Sequence, residues 1–103
     1  MARRDPAREL RDTQRVFSAL SHASRRHILL VLHFHGGCMT AGEIARRFEC
    51  SWPTTTRHLR QLESAGLVVV EKAGRERRYR LDAKRLHEVA GAWIAWFSQK
   101  VVG

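Results

Sequence analysis

Two helix-start signals stand close together in the middle of the chain, and a change in residue periodicity follows them. Thr40-Ala41-Gly42-Glu43 has the pattern of a capping box, in which each end residue's side chain bonds the other's backbone amide. Ser51 is a second N-cap, and Pro53 lies in the first helical turn, where its missing N–H has no cost. Gly66 ends this second helix. Two short helices joined by a turn of about three residues are the helix-turn-helix arrangement.

Beyond this glycine the period becomes that of extended chain. A β-branched run over 67–72 and an alternating run over 77–81 flank a turn. In the second run, Tyr79 and Leu81 fall on one face and arginines on the other. The sequence therefore predicts a two-stranded hairpin, or wing, with a basic outer face.

Helices are predicted on both sides of this module. Asp5-Pro6 begins a first helix over about 6–20, and a second helix starts after Ser21-His22. The second helix is expected to be largely buried through its apolar side, which consists of Ile28, Leu29, Val31 and Leu32. Asp82 caps a last helix over about 83–99.

The expected fold class is mainly α with a small β-hairpin. It is a winged helix-turn-helix with five helices and a two-stranded wing, in a single domain over 1–103. The helix-turn-helix spans 40–66 and the wing 67–81. A chain of 103 residues has room for one modest core.

Positive charge accompanies this module. Lys and Arg number 19 against 10 acidic residues, which gives a formal net charge of +9. A basic surface attracts polyanions but also suits a membrane surface, so the residue pattern has to identify the partner. No apolar run reaches the roughly 18 residues of a membrane span, and the start lacks a secretory signal. We therefore expect a cytoplasmic protein with no membrane partner.

In a winged helix-turn-helix the second helix enters the major groove of DNA and the wing lies along the backbone or minor groove. If Thr55, Leu59 and Leu62 face the core, the opposite face is available to DNA. Arg57 can reach a guanine edge or a phosphate, and Trp52 offers an apolar edge. The free N–H groups at this helix start also favour a phosphate. The predicted DNA-contacting residues are Ser51, Trp52, Pro53, Thr54, Thr56, Arg57, His58 and Arg60, with Arg75, Arg77 and Arg78 as a compact cationic tip on the wing.

Four stretches carry a family resemblance: 17–29, 39–45, 51–68, and Gly74-Arg75 with Tyr79-Arg80-Leu81. Through them the chain resembles the ArsR/SmtB family of bacterial winged-helix repressors over residues 13–100. The resemblance implies a homodimer joined mainly through the first and last helices, which binds an imperfect palindrome in a promoter. His22-Ala23 departs from the family, which often has Asp-Pro there.

An apolar stripe on the last helix is too long for so small a core. Its aromatic residues would line either a ligand pocket or a dimer seam, and such stripes on terminal helices favour the seam. The residues considered for the pocket are Trp93, Trp96 and Phe97. The predicted dimer interface consists of Phe17, Leu86, Val89, Ala90, Trp93, Ile94 and Phe97.

The metal sites known in the resembled family lack their ligands in this chain. The soft-metal sensors have a Cys-x-Cys motif where this chain has Thr40 and Gly42. The positions that match the zinc ligands on the last helix are occupied by Ala83, Arg85, Trp96 and Gln99. We therefore expect no metal and no other cofactor, and the effector is unknown.

Other cysteines and histidines suggest two further sites. His33, His35 and Cys38 are close in sequence, but residues two apart on a helix point to different sides. Cys38 and Cys50 flank a whole helix, which separates them beyond the reach of a disulfide. Neither a metal site nor a thiol switch is predicted.

The sequence carries no pattern of an enzyme, because it shows no nucleophile beside a base, no carboxylate pair and no phosphate-binding glycine loop. We interpret the chain as a sequence-specific regulator that binds double-stranded DNA, acting as a homodimeric repressor on a palindromic promoter site. Activation instead of repression stays open. The alternative function is a winged-helix module for RNA or protein contacts, and the scarcity of exposed stacking aromatics counts against RNA.

Overall fold

The computed structural model describes residues 5–48 and 51–98. These residues fold into five helical units and a three-stranded sheet. The first four helices are α1 (Pro6–Leu20), α2 (Ala23–Phe34), α3 (Ala41–Arg47) and α4 (Trp52–Ser64). The strands are β1 (Cys38–Thr40), β2 (Val68–Ala73) and β3 (Glu76–Leu81). The last helical unit runs through α5 (Ala83–Leu86), a π-helical turn (His87–Gly91) and α6 (Ala92–Ser98). The predicted order of helices and wing is confirmed.

Side-chain caps fix the helix starts as predicted. Asp5 accepts from the amides of Ala7 and Arg8 at the start of α1. In the capping box, Thr40 Oγ1 accepts from the Glu43 amide at 3.2 Å and Glu43 Oε1 accepts from the Thr40 amide at 3.1 Å. Ser51 Oγ accepts from the backbone amide at the third position of α4. These bonds satisfy donors that would otherwise be unpaired at each helix start.

The sheet has one strand more than predicted. All its pairs are antiparallel, in the order β1-β3-β2, and Met39 of β1 lies opposite Tyr79 of β3. Gly74 has a φ of 66° in the two-residue turn between β2 and β3, a conformation that glycine adopts without strain. Strand β1 was not predicted because its three residues are too few to show the alternating pattern of a strand in the sequence. It forms because the second edge of β3 is free to pair with it.

The core lies between the helices and the inner face of the sheet. It combines apolar side chains from every helical unit with the inner residues of the strands. The largest fully buried side chains are Ile28, Leu32, Met39, Ile44, Leu59, Leu62, Leu67, Val16 and Val68. This packing holds α4 against the rest of the chain by one face and leaves its other face exposed.

Helix α2 is not largely buried, in contrast to the prediction. Its residues Ile28, Leu29 and Leu32 are buried, but Leu30 is 54% exposed and Phe34 is 80% exposed. A stretch of apolar residues that is almost continuous cannot face one side of a helix, since successive positions turn by about 100°. The outer face of α2 therefore carries apolar side chains.

The π-helical turn interrupts the predicted last helix. One residue of this turn, Ala90, was predicted to lie in the dimer interface but is buried within the chain. Ala90 is only 6% exposed and belongs to the chain's own core. Leu86 and Val89 are half-buried and pack against that core. The π-helical turn that contains Ala90 packs against α1. The side chain of Ala90 is therefore covered by the chain itself and is not available to a second copy.

None of the helices in residues 5–48 and 51–98 combines the length and the hydropathy that a membrane-spanning segment requires.

Candidate nucleic-acid interface

Helix α4, the predicted recognition helix, has the two faces expected from its sequence. Thr55, Leu59 and Leu62 are buried, as predicted. The opposite face is exposed at Trp52, Pro53, Arg57 and Arg60 and half-buried at Thr54 and Thr56. Most of the predicted contact residues on this helix therefore lie on one accessible surface.

The start of α4 uses most of its polar groups within the chain. Ser51 Oγ accepts from the Thr54 amide at 3.3 Å and donates to Thr54 Oγ1 at 2.9 Å. Pro53 has no N–H, so the Trp52 amide is the donor of this first turn that makes no hydrogen bond among the described residues. The helix start thus offers a phosphate a single backbone N–H, fewer than the sequence indicated.

His58 does not lie on the exposed face, which corrects its assignment as a DNA-contacting residue. Its side chain points inward, the residue is 9% exposed, and its ring centroid lies 4.5 Å from that of His22. Burial lowers the pKa of His58, and the neighbouring His22, Arg25 and Arg57 lower it further. His58 follows the buried Thr55 by three positions and therefore belongs to the inner stripe of the helix.

A cleft of about 500 Å³ separates the start of α4 from the wing, and we call it the helix–wing cleft. Three arginines line it: Arg46 from α3, and Arg75 and Arg77 from the wing. The other lining residues are Thr40, Ala41, Gly42, Trp52, Thr56, Glu76 and Tyr79. Glu76 is the carboxylate in this lining, so the cleft is cationic with one acidic group.

The wing arginines are not one compact tip, in contrast to the prediction. Side chains alternate along β3, so Arg77 lies on the face of Tyr79 while Arg78 lies on the opposite face. Arg80 shares the face of Arg78 and forms an ion pair of 2.9 Å with Glu71. Arg75 and Arg77 therefore face the cleft, and Arg78 faces away from it.

Arg46 is a cationic residue of this surface that sequence reasoning missed. It is exposed on the last turn of α3, and an added Cβ at Gly42 would lie 3.6 Å from Arg46 Nη1 and from the Trp52 ring. Its signal in the sequence was the basic pair Arg46-Arg47 at the end of the first short helix. That pair did not show which of its members faces the recognition helix.

The residues considered for a metal site point apart. His35 Nε2 lies 3.6 Å from Glu43 Oε2, whereas the His33 ring packs edge-on against Phe34. Cys38 is half-buried in β1. Over residues 5–48 and 51–98, no group of three or more His, Cys, Asp and Glu side chains could hold a metal ion. Cys50, the other member of the considered thiol pair, lies outside the described residues.

The predicted dimer residues on α6 remain accessible, unlike Ala90. Phe17 packs edge-on against Trp93 at 5.2 Å, and Trp93 contacts Phe97 at 4.8 Å. Trp96 is 70% exposed and Phe97 is 68% exposed. Leu10 of α1 and Ile94 of α6 are also exposed apolar residues.

Comparisons with known proteins agree with this geometry. The family model described as a helix-turn-helix domain matches residues 20–71. The chain is 36% identical over 85 residues to the transcriptional repressor SdpR of Bacillus subtilis, covering 82% of this chain and 91% of that relative.

Two solved structures have the same fold. The ArsR-like transcriptional regulator from Rhodococcus sp. RHA1 has 32% sequence identity and a TM-score of 0.74, covering 87% of this chain and 83% of that one. The homodimeric winged helix-turn-helix DNA-binding domain from Mycobacterium bovis has 24% identity and a TM-score of 0.71, covering 100% of this chain and 96% of that one.

These relatives are transcriptional regulators and not enzymes, which confirms the expected class. The chain therefore belongs to the ArsR family of winged helix-turn-helix transcriptional regulators.

Proposed function

We propose that this DNA-binding regulator is a homodimeric repressor, which recognises a palindromic promoter site and blocks transcription by covering it. The observation that carries the proposal is the grouping of exposed cations around α4. Arg57 and Arg60 lie on its outer face, and the three arginines of the helix–wing cleft lie beside it. One side of the chain thus joins a helix that can read bases to cations that can hold phosphates.

Each group of cations has a separate proposed role. Arg57 and Thr56 lie in the first half of α4, where side chains reach base edges in the major groove. Arg75 and Arg77 are suited to backbone phosphates or a narrow minor groove, where charge and groove width count more than the identity of the bases. Arg46 is suited to a phosphate between these two regions.

Dimerisation is supported by the exposed apolar surface of α1 and α6. Large contiguous apolar patches on a protein surface commonly mark an interface. The related domain from Mycobacterium bovis is homodimeric, and the fold of the two chains is the same. A second copy that covers Trp93, Ile94, Trp96 and Phe97 would remove this surface from water.

A twofold dimer implies a twofold operator. Two recognition helices that face one side of the duplex fit half-sites centred about 10–11 base pairs apart, or a multiple of that spacing. Repression is supported by the related Bacillus subtilis protein, which is a transcriptional repressor. We also propose that the chain forms one domain, and that it acts in the cytoplasm because its target is promoter DNA.

Selection of bound fragments from random duplex DNA tests this proposal. We expect enrichment of an inverted repeat, and loss of enrichment in the double variant Arg57→Ala, Arg60→Ala. The matched control Arg8→Ala removes an exposed arginine near the start of α1 and is expected to keep the same enriched motif. Enrichment of a single unrepeated half-site would contradict the dimeric operator. Preference for single-stranded RNA over every duplex would favour the alternative module.

A further inference from the structure

An apolar groove of about 420 Å³ lies on the side of α2 where the ends of α1 and β3 and the start of α5 meet. We call it the α2 groove. Six apolar side chains form its walls: Leu20, Leu29, Leu30, Leu81, Ala83 and Leu86. Its volume lies within the range of about 300–1,000 Å³ that is typical of small-molecule sites. The residues lining it are separate from those lining the helix–wing cleft.

Two nitrogen-bearing side chains, Arg26 and His33, complete the lining of the α2 groove. Arg26 Nη1 donates to the Leu20 carbonyl at 2.6 Å, which fixes the guanidinium at the edge of the groove. Among the described residues Arg26 makes no ion pair, whereas Arg80 and Arg85 are paired with Glu71 and Asp12. The described lining of the groove contains no acidic side chain.

We propose that the α2 groove binds a small amphipathic carboxylate, with its apolar body against the leucine walls and its carboxylate on Arg26. An apolar body gains from leaving water, and Leu30, which is 54% exposed, supplies accessible surface for it. A guanidinium forms strong charge-assisted hydrogen bonds with a carboxylate. A neutral amphiphile lacks that bond, and a cationic one would be repelled by Arg26.

The position of the groove gives such a ligand contact with several parts of the fold at once. Leu81 ends the wing strand β3, Ala83 begins the last helical unit, and Leu20 ends α1. The proposal concerns binding alone and does not depend on DNA recognition. It is therefore tested without DNA.

Decanoate is a suitable probe, titrated below its micelle concentration into the ¹⁵N-labelled full chain and followed by the amide resonances of Leu30 and Ala83. We expect saturable shifts at these amides, at least about tenfold weaker binding for Arg26→Gln, and loss of binding for Leu30→Glu. Leu30 is exposed, so the second variant keeps the test valid if Arg26→Gln is unstable. The matched control Arg11→Gln removes an exposed arginine of α1 and should bind decanoate as the parent chain does.

Three results would overturn the proposal. The first is the absence of saturable shifts at the groove, and the second is equal affinity for decanoate, decanol and decyltrimethylammonium. The third is a halved molecular mass of Leu30→Glu in sedimentation equilibrium, which would make the groove an interface with a second copy of this chain.

Discussion

The guanidinium of Arg25 lies 3.4 Å from Nδ1 of His58, so that a side chain of α2 contacts the inner face of α4, the proposed recognition helix. The same guanidinium donates from Nε to the Ala19 carbonyl at 2.7 Å and from Nη2 to the Ser18 carbonyl at 3.2 Å. These carbonyls belong to the last turn of α1. One arginine therefore connects three helices, and His58 helps to position the exposed face of α4 without lying on it.

This contact predicts a pH dependence of stability. Because burial and the surrounding His22, Arg25 and Arg57 lower the pKa of His58 below its ordinary value of 6.5, the unfolded chain binds the proton more readily than the folded chain. The contribution of neutral His58 to the free energy of unfolding is fully present above about pH 6.5, and it is lost as the pH falls below that value.

We expect the stability difference between the parent chain and His58→Gln to shrink from about pH 7.5 to about pH 5, measured by urea unfolding at each pH. The control His87→Gln changes an exposed histidine and should not alter this pH dependence. Identical pH profiles for the parent and His58→Gln would show that His58 does not titrate differently in the folded state.

The two faces of the wing predict different effects on DNA binding. Arg77→Ala removes a cation from the helix–wing cleft, and we expect it to weaken all duplexes similarly. The salt dependence should flatten by about one ion-equivalent per contact removed, or about two per dimer. Arg78→Ala is the matched control, because Arg78 lies on the opposite face of the same strand and should change the slope less. Binding at several salt concentrations measures both, and a larger effect of Arg78→Ala would reverse the assigned orientation of the wing.

Arg57→Ala is expected to act on specificity. Arg57 is exposed in the first half of α4, so its loss should cost roughly 1–3 kcal/mol on the selected operator and relax the preference at one position of each half-site. Affinity for scrambled duplex should change much less. Equal losses on the operator and on scrambled duplex would assign Arg57 to a phosphate.

The exposed aromatic residues of α6 predict a loss of dimerisation on substitution. Phe97→Asp together with Trp96→Asp places charge on a surface that a second copy would bury, so sedimentation equilibrium should report a single chain of 11.9 kDa. Both residues are exposed in the single chain, so its helical circular dichroism should be retained. Lys84→Gln on α5 is the control and should leave the dimer intact. A parent chain that is already monomeric at micromolar concentration would contradict the proposed assembly.

A side chain at Gly66, which follows α4, is expected to destabilise the fold through both backbone strain and a steric contact. Its φ is +77°, and an added Cβ would lie 3.0 Å from Nε of Arg85, whose Nη2 is 3.4 Å from Asp12. Gly66→Ala should destabilise the chain by the roughly 1–2 kcal/mol of left-handed backbone strain plus the cost of displacing Arg85. Gly74→Ala is the matched control, because it has a φ of +66° and nothing within 4 Å of an added Cβ. Urea unfolding should show the larger loss for Gly66→Ala, and equal losses would mean that Arg85 moves aside freely.

Local chemistry in the sequence determined the starts of the helices, the hairpin and the exposed face of α4. Thr40, Ser51 and Asp82 act through hydrogen bonds within three residues, so a single sequence contains both partners of each bond. The inward position of Thr55 and Leu59 follows in the same way from helical periodicity.

Only the tertiary structure decided which surfaces face each other. Strand β1 depends on the free edge of β3, and the burial of Ala90 depends on the packing of the last helical unit against α1. The contact of His58 with Arg25 and the position of Arg77 in the cleft beside α4 also require elements that are distant in sequence. Residue spacing specifies the direction of a side chain within its own helix or strand, but what lies opposite it is fixed by long-range packing.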